Sequence, residues 1–158
     1  AAARAAIPDL LVTTDLIAGF PGETEGDFEV GLALVKELRF VHAHVFPFSA
    51  RSGTAAAHFD GQVAAPIKKE RLLRLRQMVE QTGRGERERF VGTVRSVLWE
   101  GTGQPLADQP GLLWAGLTDN YLRVTTVAPA DRNLRNRVEQ VYLARLVGDE
   151  LAGVLVGT

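Results

Sequence analysis

The chain has no cysteine among its 158 residues. Disulfides, thiol nucleophiles and cysteine-ligated metals are therefore excluded within it. No apolar run approaches the roughly 20 residues that a membrane-spanning helix needs, and the basic start of a secretory signal is missing. These absences point to a cytoplasmic protein with no membrane partner. No internal repeat recurs at a solenoid period. An initiator methionine is lacking too, because the chain opens at Ala1. Ala1 to Ala6 read as the end of a helix already under way, with Ile7-Pro8-Asp9 as its exit. A chain that starts inside an element is expected to be cut from a longer one.

What is present fits an ordinary soluble fold. Hydrophobic residues make up 46% of the chain, and its length allows one domain or two small ones. The net charge of −1 hides an asymmetry. Residues 1–67 carry four basic and eight acidic side chains, a balance of −4. Residues 68–95 carry nine basic and four acidic, a balance of +5, and residues 96–158 carry five and seven, a balance of −2. A basic block in a near-neutral chain suggests a phosphate-bearing partner; a solvated helix face explains it as simply.

Three parts are expected: residues 1–65, 66–89 and 90–158. In the first, Leu16 and Ile17 run into Ala18-Gly19-Phe20, a short apolar stretch suited to a strand covered on both faces. Thr24 is a candidate N-cap with Asp27 three residues on, and Phe28, Leu32, Val35 and Leu38 then recur at helical spacing. Val41 to Phe46 form a second strand ended by Pro47. Two strands joined by one helix should lie parallel. Two parallel strands do not make a sheet, so further strands are expected from a missing N-terminal part of the same protein.

Residues 66–89 read as a basic helix. Pro66 suits its first position, and Ile67, Leu72, Leu75 and Val79 mark an apolar stripe. Lys68, Lys69, Arg71, Arg74 and Arg76 largely occupy the other side. The segment Thr82-Gly83-Arg84-Gly85 is expected to weaken or break the helix, since each glycine costs about 1 kcal/mol there. Residues 90–158 read as all-β. Strands are expected at 90–99, 112–117, 121–127, 137–147 and 150–156, with a Gly- and Pro-rich loop at 101–111. Asp119-Asn120 and Gly148-Asp149 mark tight turns. Five short strands suggest a small closed barrel of the OB type.

The sharpest motif is Gly19-Phe20-Pro21-Gly22-Glu23-Thr24, at the carboxyl end of the first strand. Glycines there let a ligand approach the backbone, and a helix N-terminus offers N–H groups. Taken alone, such a string is more often just a turn. His42 and His44 share one face of a strand, but no third metal ligand is evident, and packing explains them as well. His58 has no identifiable partner. Asp15 and Glu23 can be read as paired carboxylates, although Glu23 suits the turn better. Ser49 and Ser52 have no His–Asp arrangement, which argues against a hydrolase triad. Tyr121 and Arg123, or Trp99 and Trp114, can stack unpaired bases, although both tryptophans suit core packing equally.

As whole strings, these segments resemble the radical SAM methylthiotransferases. Thr14-Asp15-Leu16-Ile17-x-Gly19-Phe20-Pro21-Gly22-Glu23-Thr24 is similar to their fifth-strand motif. His44-Val45-Phe46-Pro47-Phe48-Ser49-x-Arg51-x-Gly53-Thr54-x-Ala56 is similar to the sixth strand and the loop after it, with Ala50 and Ser52 where prolines are usual. Arg89-Phe90-Val91-Gly92-Thr93 resembles the start of a TRAM domain, the RNA-binding barrel of these enzymes. Gly116-Leu117-Thr118-Asp119-Asn120-Tyr121-Leu122-Arg123-Val124 resembles the branch that modifies N6-threonylcarbamoyladenosine beside the tRNA anticodon. Asn133-Leu134 and Val138 to Leu143, with Leu151-Ala152-Gly153, resemble the last two barrel strands, although Arg135-Asn136-Arg137 departs from the usual short glycine-containing turn.

The resemblance implies an α/β remnant of a (β/α) barrel, then an all-β TRAM barrel. It implies S-adenosylmethionine and 4Fe-4S clusters as cofactors, with the cluster ligands outside this chain. Gly19, Phe20, Pro21, Gly22, Glu23, His44, Val45 and Phe46 would line the SAM site. Arg51, Lys68, Lys69, Arg71, Arg74, Tyr121 and Arg123 would hold the tRNA anticodon arm. The reaction implied adds a methylthio group to C2 of the modified adenosine, and this chain alone should be inactive. A stand-alone RNA-binding module and the ribosomal-protein-modifying branch are the alternatives.

Overall fold

The computed structural model describes residues 2–157; Ala1 and Thr158, the ends of the expected first and last parts, lie outside the described residues. The chain divides into two compact units. One comprises residues 11–86; the other combines residues up to 10 with residues from 87 onward.

In the first unit, strand β1 (Thr13–Ala18) pairs in parallel with strand β2 (His42–Pro47), in register from Thr13↔His42 to Ala18↔Pro47. Helix α2 (Glu25–Leu38) joins them, and the 24-residue helix α3 (Ala65–Glu88) follows. Because strand side chains alternate, one face carries Leu16, Ala18, Ala43 and Val45. That face packs with Phe28 and Val35 of α2 and with Leu75 and Val79 of α3. The other face leaves Ile17, His42, His44 and Phe46 exposed. β1 was expected to be covered on both faces; the helices supply apolar side chains to one face only.

Local chemistry explains the ends of α2. Thr24 and Asp27 form a full capping box: the Asp27 N–H donates to Thr24 Oγ1 at 3.1 Å, and the Thr24 N–H donates to Asp27 Oδ2 at 3.0 Å. At the other end Arg39 adopts a left-handed φ of 50° and closes the helix through its N–H to Val35 O.

Helix α3 runs unbroken through Gly83 and Gly85, contrary to the expected break. Tertiary contacts hold the helix on both sides of the glycines. The Thr82 hydroxyl donates to Phe40 O at 3.1 Å, and the buried Glu86 pairs with Arg39 Nε at 3.3 Å. These anchors outweigh a propensity cost of about 1 kcal/mol per glycine.

The second unit begins with the short helix α1 (Ala2–Ala6) and is built on a closed barrel. Its strands are β3 (Val94–Pro105), β4 (Leu112–Thr118), β5 (Arg123–Ala128), β6 (Val138–Val147) and β7 (Glu150–Leu155), in the order β3-β4-β5-β7-β6. All neighbours are antiparallel except β5 and β7, which pair in parallel at Val124↔Leu151. The expected five-strand barrel is present, with two corrections. β3 starts at Val94, because residues 90–93 form a turn, and it extends to Pro105 into the segment expected to be loop. Its pairing with β4 is irregular between Glu100 and Gln104, which lets the strand bend around the barrel.

The core explains where both tryptophans went. Trp99 and Trp114 are buried inside the barrel and offer no face to a base. Gly116 lies directly across from Trp99 in the ladder. A Cβ on Gly116 would sit 2.8 Å from the Trp99 ring and would meet Leu98 O more closely still. Gly116→Val should therefore destabilise the barrel by about 1–3 kcal/mol through overpacking. A thermal melt of the variant that matched the parent would refute this account of the core.

Candidate functional site

The site lies at the carboxyl ends of β1 and β2. Gly19 and Gly22 adopt φ of 73° and 85°, a region most side chains avoid. The turn's amides are largely spent within the chain. Gly19 N–H donates to Glu23 Oε2 at 2.8 Å, Gly22 N–H to Gly61 O at 2.8 Å, and Glu23 N–H to Phe20 O at 3.0 Å. The N–H groups of these three turn positions are thus not open to a ligand. Gly19 also has a packing reason, since a Cβ there would collide with the Lys68 side chain.

Arg71 reaches this turn from the middle of α3. Its side chain is 5% exposed, and its Nη1 donates to Glu23 Oε2 at 2.7 Å and to Glu23 O at 3.0 Å. Its Nη2 donates to Glu25 Oε2 at 3.0 Å. Arg74 continues the network to Glu25 Oε1 at 3.0 Å and to Glu29 Oε1. Both guanidinium groups also stand over the Phe28 ring, at 5.3 and 4.8 Å. A buried charge is tolerated only when paired, and these pairs meet that demand.

Several residues of the set expected to hold RNA are engaged within the chain. Arg71 is buried and ion-paired, Arg74 is committed to carboxylates, and Lys68 donates to Phe48 O at 3.3 Å while lying over the Phe48 ring. Arg76, on the same helix, donates to Val45 O at 3.3 Å. Arg51 and Lys69 are exposed. Tyr121 and Arg123 belong to the other unit. There Tyr121 is 83% exposed with φ of 64°, and Arg123 pairs with Glu150 at 3.0 Å. Beside Arg123, a cleft of about 380 Å³ opens on the barrel, lined also by Gln104, Leu113, Ala115 and Leu117.

Of the eight residues expected at a cofactor, His44 and Phe46 share the exposed face with Ile17, which stands opposite Phe46 in register. The His44 ring stacks on Phe46 with centroids 6.1 Å apart. Val45 points the other way, into the core, because neighbours on a strand alternate. Phe20 is exposed, whereas Gly19 and Pro21 are buried. Phe48, named in the second motif but not among the expected site residues, and Phe59, which sequence reasoning missed, meet the Phe20 ring edge-on at 5.2 and 6.2 Å. Only their spacing around the loop could have signalled them.

The ion pairs carry a pH dependence. The hydrogen bond from Arg71 holds Glu25 below its ordinary value of 4.5, and the Thr24 hydroxyl holds Asp27 below 3.8. The folded state thus binds fewer protons than the unfolded chain in acid. Its stability from these groups is complete above those ordinary values and is lost as pH falls through the lowered ones. Arg71→Met should cost about 2–4 kcal/mol at neutral pH, because it strands the partly buried Glu23. It should also flatten the acid limb of the stability curve. Chemical denaturation of parent and variant from neutral pH down through the carboxylate range checks both; an unchanged acid limb would remove Arg71 from this role.

No family model matches the chain. Similar sequences exist among curated proteins. The tRNA-2-methylthio-N(6)-dimethylallyladenosine synthase of Symbiobacterium thermophilum is 38% identical over 153 residues, which is 97% of this chain and 31% of that protein. The protein of the same name from Moorella thermoacetica is 40% identical, over 97% of this chain and 33% of its own length. The one from Thermobifida fusca reaches 47% identity over 64% of this chain and 21% of its own length. The chain thus spans about a third or less of the curated relatives it matches. Along 97% of its length, the chain is similar to part of the proteins named tRNA-2-methylthio-N(6)-dimethylallyladenosine synthase.

Proposed function

We propose that this chain is part of a tRNA methylthiotransferase, in which it forms one side of a larger (β/α) barrel and a TRAM-type RNA-binding barrel. The observation that carries the reading is similarity along 97% of the chain to proteins named for that reaction. The whole protein would act in the cytoplasm on an N6-modified adenosine in the anticodon arm of tRNA.

The chain's own residues suit part of this task. Bound SAM supplies the radical initiator and the methyl group, and the exposed face of Ile17, His44 and Phe46 offers an apolar, aromatic surface for its adenine. Gly22 is exposed and leaves the backbone beside it free of a side chain. The 4Fe-4S clusters find no fit here: the chain has no thiolate to offer, so their ligands would lie elsewhere in the protein. On the barrel, Tyr121 presents a solvent-facing ring for stacking an unpaired base, and Arg123, two residues on, lines the cleft. Arg51 and Lys69 are the exposed cations left from the expected RNA set in the first unit.

The relatives' names favour dimethylallyladenosine as the substrate. A second reading, threonylcarbamoyladenosine, rests on the Gly116–Val124 string. Much of that string has a structural reason. Gly116 admits Trp99, and Thr118 accepts the Leu122 N–H at 2.8 Å while its hydroxyl donates to Asn120 Oδ1 at 2.6 Å. Leu117, Asp119, Tyr121 and Arg123 remain as residues of the string with an exposed or cleft-facing side chain.

The test is nucleoside mass spectrometry of tRNA from cells that lack methylthio modification and express the whole protein. The methylthio derivative of dimethylallyladenosine is the expected product. That of threonylcarbamoyladenosine would establish the second reading, and unmodified tRNA with a methylthiolated ribosomal protein would sink both. Residues 1–158 expressed alone should yield no product.

A further inference from the structure

The loop after β2 is built more firmly than a connector requires. The Thr54 hydroxyl donates to Arg51 O at 2.8 Å, a 3-10 turn spans Ala55–His58, and the Gln62 side-chain amide donates to Phe59 O at 3.0 Å. This frame delivers two groups to the Gly19–Glu23 turn. Gly61 O accepts the Gly22 N–H at 2.8 Å, and the Phe59 ring meets Phe20 edge-on at 6.2 Å and 75°. Gly61 has a φ of 73°, and a Cβ there would lie 3.2 Å from both the N and Cα of Gly22. The two glycines therefore touch backbone to backbone.

Phe59 and Phe20 stay 48% and 42% exposed, so the contact buries them incompletely and is not core packing. What it fixes is a turn with two glycines, the residues that have the most backbone freedom to lose. The Gly22 N–H has no other partner than Gly61 O among the bonds of this turn. We propose that Phe59 and Gly61 are positioning residues: they clasp the Gly19–Glu23 turn in the conformation that borders the Ile17–His44–Phe46 face. Through that turn they set the affinity for the nucleoside part of the ligand. The proposal rests on the SAM reading given above and extends it to two residues outside the ligand face. A turn that is ordered before its ligand arrives spares the binding step that cost.

The experiment uses the whole protein and the variants Phe59→Ala, Gly61→Ala and Phe59→Tyr, with SAM as the probe. Amide hydrogen exchange reports on Gly22, and calorimetry and steady-state kinetics report on SAM. If the clasped turn falls to about a tenth of the population, the dissociation constant and KM for SAM rise about tenfold. In the first two variants Gly22 should exchange faster, with KM raised and kcat kept. Phe59→Tyr, which preserves the ring, should behave as the parent. Unchanged exchange in Phe59→Ala and Gly61→Ala overturns the clasp. Faster exchange with unchanged SAM affinity overturns its link to the ligand. Faster exchange in a protein whose parent form binds no SAM upholds the clasp and refutes the SAM reading instead.

Discussion

The side chain of Arg71 enters the interior of residues 11–86 carrying a full charge, and its carboxylate partners decide much of what surrounds it. An unpaired buried guanidinium would cost several kcal/mol. Glu23 and Glu25 remove that cost from positions at the start of α2, where the helix dipole already favours negative charge. Glu23 also takes the Gly19 N–H. One ion-paired cluster therefore joins the end of β1, the start of α2 and the middle of α3. The glycine turn is shaped by this cluster before any ligand is considered.

The same cluster explains the charge asymmetry of the sequence. An acidic stretch followed by a basic one looks like a surface prepared for phosphate. In the fold, Arg71 and Arg74 are neutralised by Glu23, Glu25 and Glu29, and Lys68 and Arg76 are drawn to backbone carbonyls at the end of the sheet. Much of the basic block is thus glue between helices and strands. The groups left exposed include Tyr121, on a barrel turn with a left-handed backbone.

Much of the fold was legible because it rests on local signals. The Thr24–Asp27 capping box, the apolar stripe of α2 and the Gly148-Asp149 hairpin each show in a few consecutive residues. The barrel strands were marked off by the turn and loop residues between them. The errors fell where distant contacts override local preference. Gly83 and Gly85 stay helical because Thr82 and Glu86 are anchored to Phe40 and Arg39. The end of β3 holds as a strand because Gln104 and Pro105 pair with β4. For the site, the Gly19–Glu23 string was conspicuous in sequence, but Phe59 and Gly61 were not. Their roles arise from a loop that returns to the turn about 40 residues later.

The sequence by itself determined the order of elements, the parallel pair, the small closed barrel and the lack of any thiolate for a metal. Those follow from side-chain periodicity, turn residues and composition, which need no knowledge of neighbours in space. Only the tertiary structure decided which charges are buried, which strand face is left open and which aromatic rings reach solvent. Those depend on pairings such as Arg71 with Glu23 and Trp99 with Gly116, whose members lie far apart along the chain and have value only when they meet.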